Sequence, residues 1–140
     1  GLDSYLEILS KAIKGCSSEC ILIGFSVGAS VIWQLSQLMP VTMVKVVKHA
    51  ICYYGSQIRH LTKLSPVFET KLIFPKRESH FDVSTLQHDL AKIEKVTTVQ
   101  VDFLHGFMNY HSNNFNQVAY NEQLELIRED INFNRLNTQG

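Results

Sequence analysis

The stretch Cys20-Ile21-Leu22-Ile23-Gly24-Phe25-Ser26-Val27-Gly28-Ala29-Ser30-Val31-Ile32-Trp33 decides how this chain is read. It opens on an apolar run, residues 20–23, that reads as a buried strand, and residues 29–35 read as a helix. Between them stands Gly24-x-Ser26-x-Gly28. Strand, G-x-S-x-G, helix is the context in which this motif forms a nucleophile elbow. The chain must reverse within a few residues so that the serine hydroxyl projects from the end of the sheet, and that turn strains the serine backbone. Glycines two residues before and two after leave no Cβ to clash with the incoming strand or the outgoing helix. The helix then starts beside the serine, and its free N–H groups and positive dipole end face the place where an oxyanion forms. G-x-S-x-G also arises by chance in loops, and small residues are common where a helix packs close to a strand. The flanking strand and helix weigh for the elbow.

A serine hydroxyl needs a base, and the base needs an orienting acid. In the α/β-hydrolase arrangement both come later in the chain, acid first and histidine last. Of the six histidines, His105 stands in a loop after the last expected strand. Residues 96–103 alternate and are rich in β-branched side chains, which predicts a strand, and Gly106 breaks it. His105 then lies just past a strand's C-terminal end, where open parallel sheets place their chemistry.

Three segments together, Gly24-Phe25-Ser26-Val27-Gly28, Ala50-Ile51-Cys52-Tyr53-Tyr54-Gly55-Ser56 and His105-Gly106-Phe107-Met108-Asn109, resemble the dienelactone hydrolase family of α/β-hydrolases. The resemblance runs from about residue 2 to about residue 131 and implies a cytoplasmic hydrolase of esters, lactones or related acyl compounds. It departs from the family at two positions. The namesake enzymes carry a cysteine nucleophile where this chain has Ser26, which makes the base at His105 more important. They also hold the substrate carboxylate with an arginine four residues after the histidine, where this chain has the uncharged Asn109. Dienelactone itself is therefore not the expected substrate. Arg59 is a second source of a cation or an ordinary surface arginine, and the surface reading is favoured; Tyr54 is expected to line the substrate site.

The family's acid sits in the loop after the strand predicted at residues 71–74, which Pro75 ends. That loop offers Glu78 and Asp82. Glu78 is taken ahead because it stands closer to the strand end, where the family motif has its acid; Asp82 directly precedes a helix start and reads as its cap. His80 shares the loop and reads equally as a site residue or a solvated one.

The remaining pattern fits alternating strands and helices, which argues for a three-layer α/β/α domain with a mainly parallel sheet over residues 1–140, a partial α/β-hydrolase fold. Leu2, Leu6, Leu9 and Ile13 mark one helical face, closed by Gly15 as a C-terminal cap. A helix runs from the elbow to residue 39 with Pro40 as its stop, and the valine-rich residues 41–48 are ambiguous. Strands are expected at residues 20–25, 49–54, 71–74 and 96–103. A helix is expected at 84–94, with Val83, Leu86, Leu90 and Ile93 inward. A last helix turns Tyr120, Leu124, Ile127 and Ile131 inward, and the polar residues from 132 onward are expected to fray.

Composition narrows the function. The chain has 140 residues, 45% of them hydrophobic, enough for one real core. Its 13 basic and 13 acidic residues give no electrostatic argument for nucleic acid or a membrane surface. No apolar run approaches membrane-spanning length. Three cysteines without a disulfide-dense pattern suit a reducing compartment. Cys16 and Cys20 have no matching pair at zinc-site spacing, so no metal or other cofactor is expected.

Family members carry further strands before the segment that corresponds to Leu2. A loop there supplies one oxyanion N–H, and the residue after the nucleophile, here Val27, supplies the other. The chain is therefore expected to be the C-terminal part of a longer protein, with an open sheet edge that favours self-association. Two functions follow: a hydrolase using Ser26, Glu78 and His105 through an acyl-enzyme, or a non-catalytic domain of the same fold that binds a small acyl ligand or a protein partner.

Overall fold

A computed structural model describes residues 2–16, 19–38 and 46–139. In chain order these form α1 Leu2–Lys14, β1 Cys20–Phe25, α2 Val27–Leu38, β2 Val47–Tyr53 and a 3-10 turn Ser56–His60. Then come β3 Glu69–Phe74, α3 Val83–Leu90, β4 Val96–Gln100 and α4 Gln117–Gln139. The stop at Pro40 and most of the ambiguous segment 41–48 lie outside the described residues.

The four strands make one parallel sheet in the order β1-β2-β3-β4. Neighbours in space are thus neighbours in sequence, and steps taken in one direction by right-handed crossovers lay the connecting helices on one face. That face carries Leu22, Ala50, Cys52, Leu72 and Phe74, packed with Ile13 of α1, Ala29, Ile32 and Trp33 of α2, and Val83, Leu86 and Leu90 of α3. The other face carries Ile51, Tyr53 and Ile73, packed with Phe107, Met108 and Ala119 and Ile127 of α4. The fold is a three-layer α/β/α arrangement. Among the described residues β1 is an edge strand, and Ile23 and Phe25, on the side opposite Leu22, are 36% and 42% exposed.

Several element ends differ from expectation. β4 stops at Gln100 rather than residue 103, because the ladder slips there: Val101 N–H still donates to the Phe74 carbonyl at 2.9 Å, but Lys76 N–H donates to the Phe103 carbonyl at 2.7 Å, two residues past its in-register partner. The Gln100 side chain instead donates to the Lys76 carbonyl at 3.0 Å. α3 ends at Leu90, so Ile93 packs from the turn that follows rather than from the helix. β2 and β3 each start two residues before their expected first positions. Gly15 does not take a left-handed cap; the last turn of α1 tightens through Cys16 N–H to the Ile13 carbonyl at 3.0 Å. α4 continues to Gln139, past the residues expected to fray.

The inward stripe of α4 is also shifted. Ala119, Gln123 and Ile127 are buried, Tyr120 and Leu124 are half-buried, and Ile131 is exposed. The shift follows from Gln123, a polar residue that counting apolar side chains passes over. Its Oε1 accepts a buried hydrogen bond from the Tyr53 hydroxyl at 2.8 Å, tying α4 to the end of β2. Burial raises the Tyr53 pKa, so this phenol keeps its proton to donate. Tyr53→Phe leaves a buried acceptor unpaired and is expected to cost about 1–2 kcal/mol, a fall in Tm of about 3–8 °C by thermal unfolding.

Candidate active site

Parallel pairing brings all four strand C-terminal ends to one edge of the sheet. Phe25 of β1 pairs with Tyr53 of β2, Tyr53 with Ile73 of β3, and Phe74 with Gln100 of β4. Each strand delivers one residue or loop to that edge: Ser26 after β1, Tyr54 after β2, Glu78 after β3 and His105 after β4.

Ser26 sits at the turn with φ of +53°, a left-handed conformation that a non-glycine residue rarely holds. Its N–H donates to the Tyr53 carbonyl at 2.9 Å, so the sheet ladder fixes the turn. α2 begins at the next residue, and the Val27 N–H belongs to a first turn whose N–H groups have no carbonyl of their own helix to meet. The two glycines of the motif have different roles. A Cβ on Gly24 would stand 2.7 Å from the backbone C and O of Gly28, so α2 closes on β1 only because residue 24 is glycine. A Cβ on Gly28 would meet nothing within 4 Å, so its smallness is not what the turn requires.

Ser26 Oγ lies 3.2 Å from His105 Nε2, and His105 Nδ1 lies 2.7 Å from Glu78 Oε1. The Glu78 side chain is 11% exposed and that of His105 35%. A carboxylate accepting from Nδ1–H leaves Nε2 as the acceptor for the serine proton, which is the tautomer proton transfer requires. Asp82 is elsewhere engaged: it caps α3, its carboxylate accepting from the Ser84 N–H at 3.0 Å and the Thr85 hydroxyl at 3.1 Å.

The His105 loop is held from behind. Asn114 Nδ2 donates to the His105 carbonyl at 2.8 Å, and Gly106 takes φ of +91°, where a Cβ would stand 2.6 Å from Ser112 Oγ. Asn114 and Ser112 had no signal in the sequence, since nothing local marks a polar loop residue as a partner of a distant histidine.

A cleft of about 450 Å³ opens over Ser26 and His105, bounded by Phe25, Tyr54, Met108, Asn109 and Tyr110. Among the described residues no lysine, arginine, aspartate or glutamate lines it. Tyr54 and Asn109 therefore stand at the site, while Arg59 does not line it. The Arg59 guanidinium donates to the Ser56 carbonyl at 2.8 Å and lies 5.2 Å from the centre of the Phe81 ring, as a local structural arginine. His80 is exposed and does not line the cleft. A groove of about 490 Å³ between Gln34 and Leu64 is slightly larger, but of the two only the cleft at Ser26 is lined by a hydroxyl and an imidazole in hydrogen-bond contact, so chemistry rather than volume selects it. Among the described residues no three His, Cys, Asp or Glu side chains are grouped to hold a metal ion. No described helix is long and apolar enough to cross a membrane.

No family model matches the chain. It is similar to the uncharacterized protein YczH of Bacillus subtilis (strain 168), at 35% identity over 117 residues covering 82% of this chain. The chain spans 55% of the length of that curated relative.

The unequal glycines give a direct test. Gly24→Ala forces backbone against backbone and is expected to destabilise by about 1–3 kcal/mol. Gly28→Ala is expected to be neutral or to stabilise α2 by up to about 1 kcal/mol. Chemical unfolding of both variants checks the contrast.

Proposed function

We propose that this chain carries the acyl-transfer centre of a serine-type carboxylic-ester hydrolase acting on esters, lactones or related acyl compounds. The observation that carries the reading is the continuous line Ser26 Oγ, His105 and Glu78, at 3.2 and 2.7 Å, on the C-terminal edge of a parallel sheet. The resemblance of the three motif segments to the dienelactone hydrolase family points the same way and adds a cytoplasmic setting.

In this mechanism Ser26 Oγ attacks the acyl carbon while His105 Nε2 takes its proton. Glu78 holds the imidazole by Nδ1–H and faces the positive charge that forms on the ring. The carbonyl oxygen, now anionic, is met by the Val27 N–H at the positive end of α2. His105 returns the proton to the departing alcohol oxygen, leaving an acyl ester on Ser26. Water then attacks that ester by the same route in reverse roles: His105 accepts the water proton, gives it to Ser26 Oγ, and the acid leaves. No cofactor takes part. Among the described residues the cleft lining has no fixed cation, which supports neutral substrates over those carrying a carboxylate beside the scissile bond.

A fluorophosphonate probe is expected to label the protein, and Ser26→Ala to abolish labelling. No labelling of the intact protein would turn the reading to a non-catalytic domain that binds an acyl ligand or a protein partner. Glu78→Gln is expected to lower kcat on an aryl ester by a factor on the order of 10³–10⁴, since a neutral amide can fix the wrong tautomer. Asp82→Ala is expected to cost about 1 kcal/mol of stability as a lost cap, with kcat within about twofold. A matched pair of esters differing only in a free carboxylate tests the lining: kcat/KM is expected to favour the neutral member.

A further inference from the structure

Tyr54 is held in a conformation that sheet geometry alone disfavours. Side chains alternate along β2, so Cys52 faces one core and Tyr53 the other. Continued alternation would return residue 54 to the Cys52 side. Instead Tyr54 takes φ of +39° and its ring joins the same cluster as Tyr53. A left-handed bulky residue costs about 1–2 kcal/mol, and such strain gathers where a site needs a side chain in one place.

That place is against the His105 imidazole. The ring centroids of Tyr54 and His105 are 4.7 Å apart at 45°. Phe107 backs the Tyr54 ring edge-on at 5.6 Å, and the side chain is only 2% exposed. The hydroxyl is sealed in without a hydrogen bond of standard geometry. Burial raises its pKa, and the nearby Met108 backbone offsets part of that push, so the ring stays a neutral phenol. The contact with the imidazole is therefore made by an uncharged aromatic ring.

Resting on the hydrolase reading, we propose that Tyr54 is a positioning residue whose ring face stabilises His105 selectively when it carries the serine proton. Glu78 and Ser26 grip the imidazole by its two nitrogens, at its edge. Tyr54 adds a third contact, ring against ring. As Ser26 Oγ bonds the acyl carbon and its proton moves to Nε2, the neutral ring becomes a cation, and a cation within about 6 Å of an aromatic face is attracted by its quadrupole. The attraction is strong only after the charge has formed, so it acts on kcat and leaves substrate affinity alone.

Fluorination separates this electrostatic role from packing, because it keeps the ring's shape while draining negative potential from its face. With Tyr54→Phe as the reference, phenylalanines of increasing fluorine content are placed at position 54 in the full chain. On an aryl ester kcat is expected to fall stepwise, by about five- to tenfold at the most fluorinated ring, with KM and Tm unchanged. Tyr54→Leu, which removes the face, is expected to lose at least as much in kcat. A flat series, or one that moves KM instead of kcat, would overturn the inference while labelling of Ser26 by fluorophosphonate left the hydrolase reading intact. Absence of labelling in the unmodified protein would overturn both.

Discussion

The close approach of α2 to β1 at Gly24 is the contact on which the site depends. Backbone meets backbone there, with the Gly28 carbonyl where a side chain would otherwise stand. This lets the chain turn from strand to helix within one residue and leaves Ser26 at the rim of the sheet with φ of +53°. The turn is anchored by the Ser26 N–H on the Tyr53 carbonyl, so the position of the hydroxyl follows from the β1–β2 register. A larger residue at 24 would lift α2 and move Ser26 relative to a histidine delivered by a different strand.

The second requirement is that three other strands end at the same level. Parallel pairing in simple order achieves this without any contact designed for the site itself. Glu78 and His105 come from loops after β3 and β4, and only the shared sheet brings them within 2.7 Å. The strain at Ser26 and Tyr54 is carried by packing beneath them: an aromatic group of Phe25, Tyr53 and Phe107, with Phe25 stacked on Tyr53 at 5.1 Å, and the buried Tyr53–Gln123 hydrogen bond. The core under the site is thus also the support that fixes its geometry.

The cleft lining combines the polar Ser26, His105 and Asn109 with the aromatic Phe25, Tyr54 and Tyr110. With Arg59 turned to Ser56 and Phe81, the nearest cation suggested by the sequence is spent on local structure. Among the described residues no cation lines the cleft, so a carboxylate entering it would lose hydration without a compensating charge.

The sequence alone determined the order of elements, the strand-to-helix turn at Ser26, the place of His105 in the loop after β4 and the cap at Asp82. These are local signals: an apolar run ending in Gly24-x-Ser26-x-Gly28, a proline at a strand end, and an acid one residue before a helix that it caps. The family resemblance put Glu78 ahead of Asp82 as the acid expected beside that histidine. Other features were decided by tertiary structure, because each depends on a partner distant in sequence. Gln123 is inward only because Tyr53 needs an acceptor, which moves the buried stripe of α4 off its apolar residues. Gly24 is indispensable and Gly28 is not, since one faces the backbone of α2 and the other faces open space. Tyr54 turns left-handed toward His105 and Asn114 reaches back to the His105 carbonyl, and no periodicity records either. A sequence pattern reports which faces are apolar, whereas a hydrogen bond or a ring contact between loops exists only once the sheet has set their ends side by side.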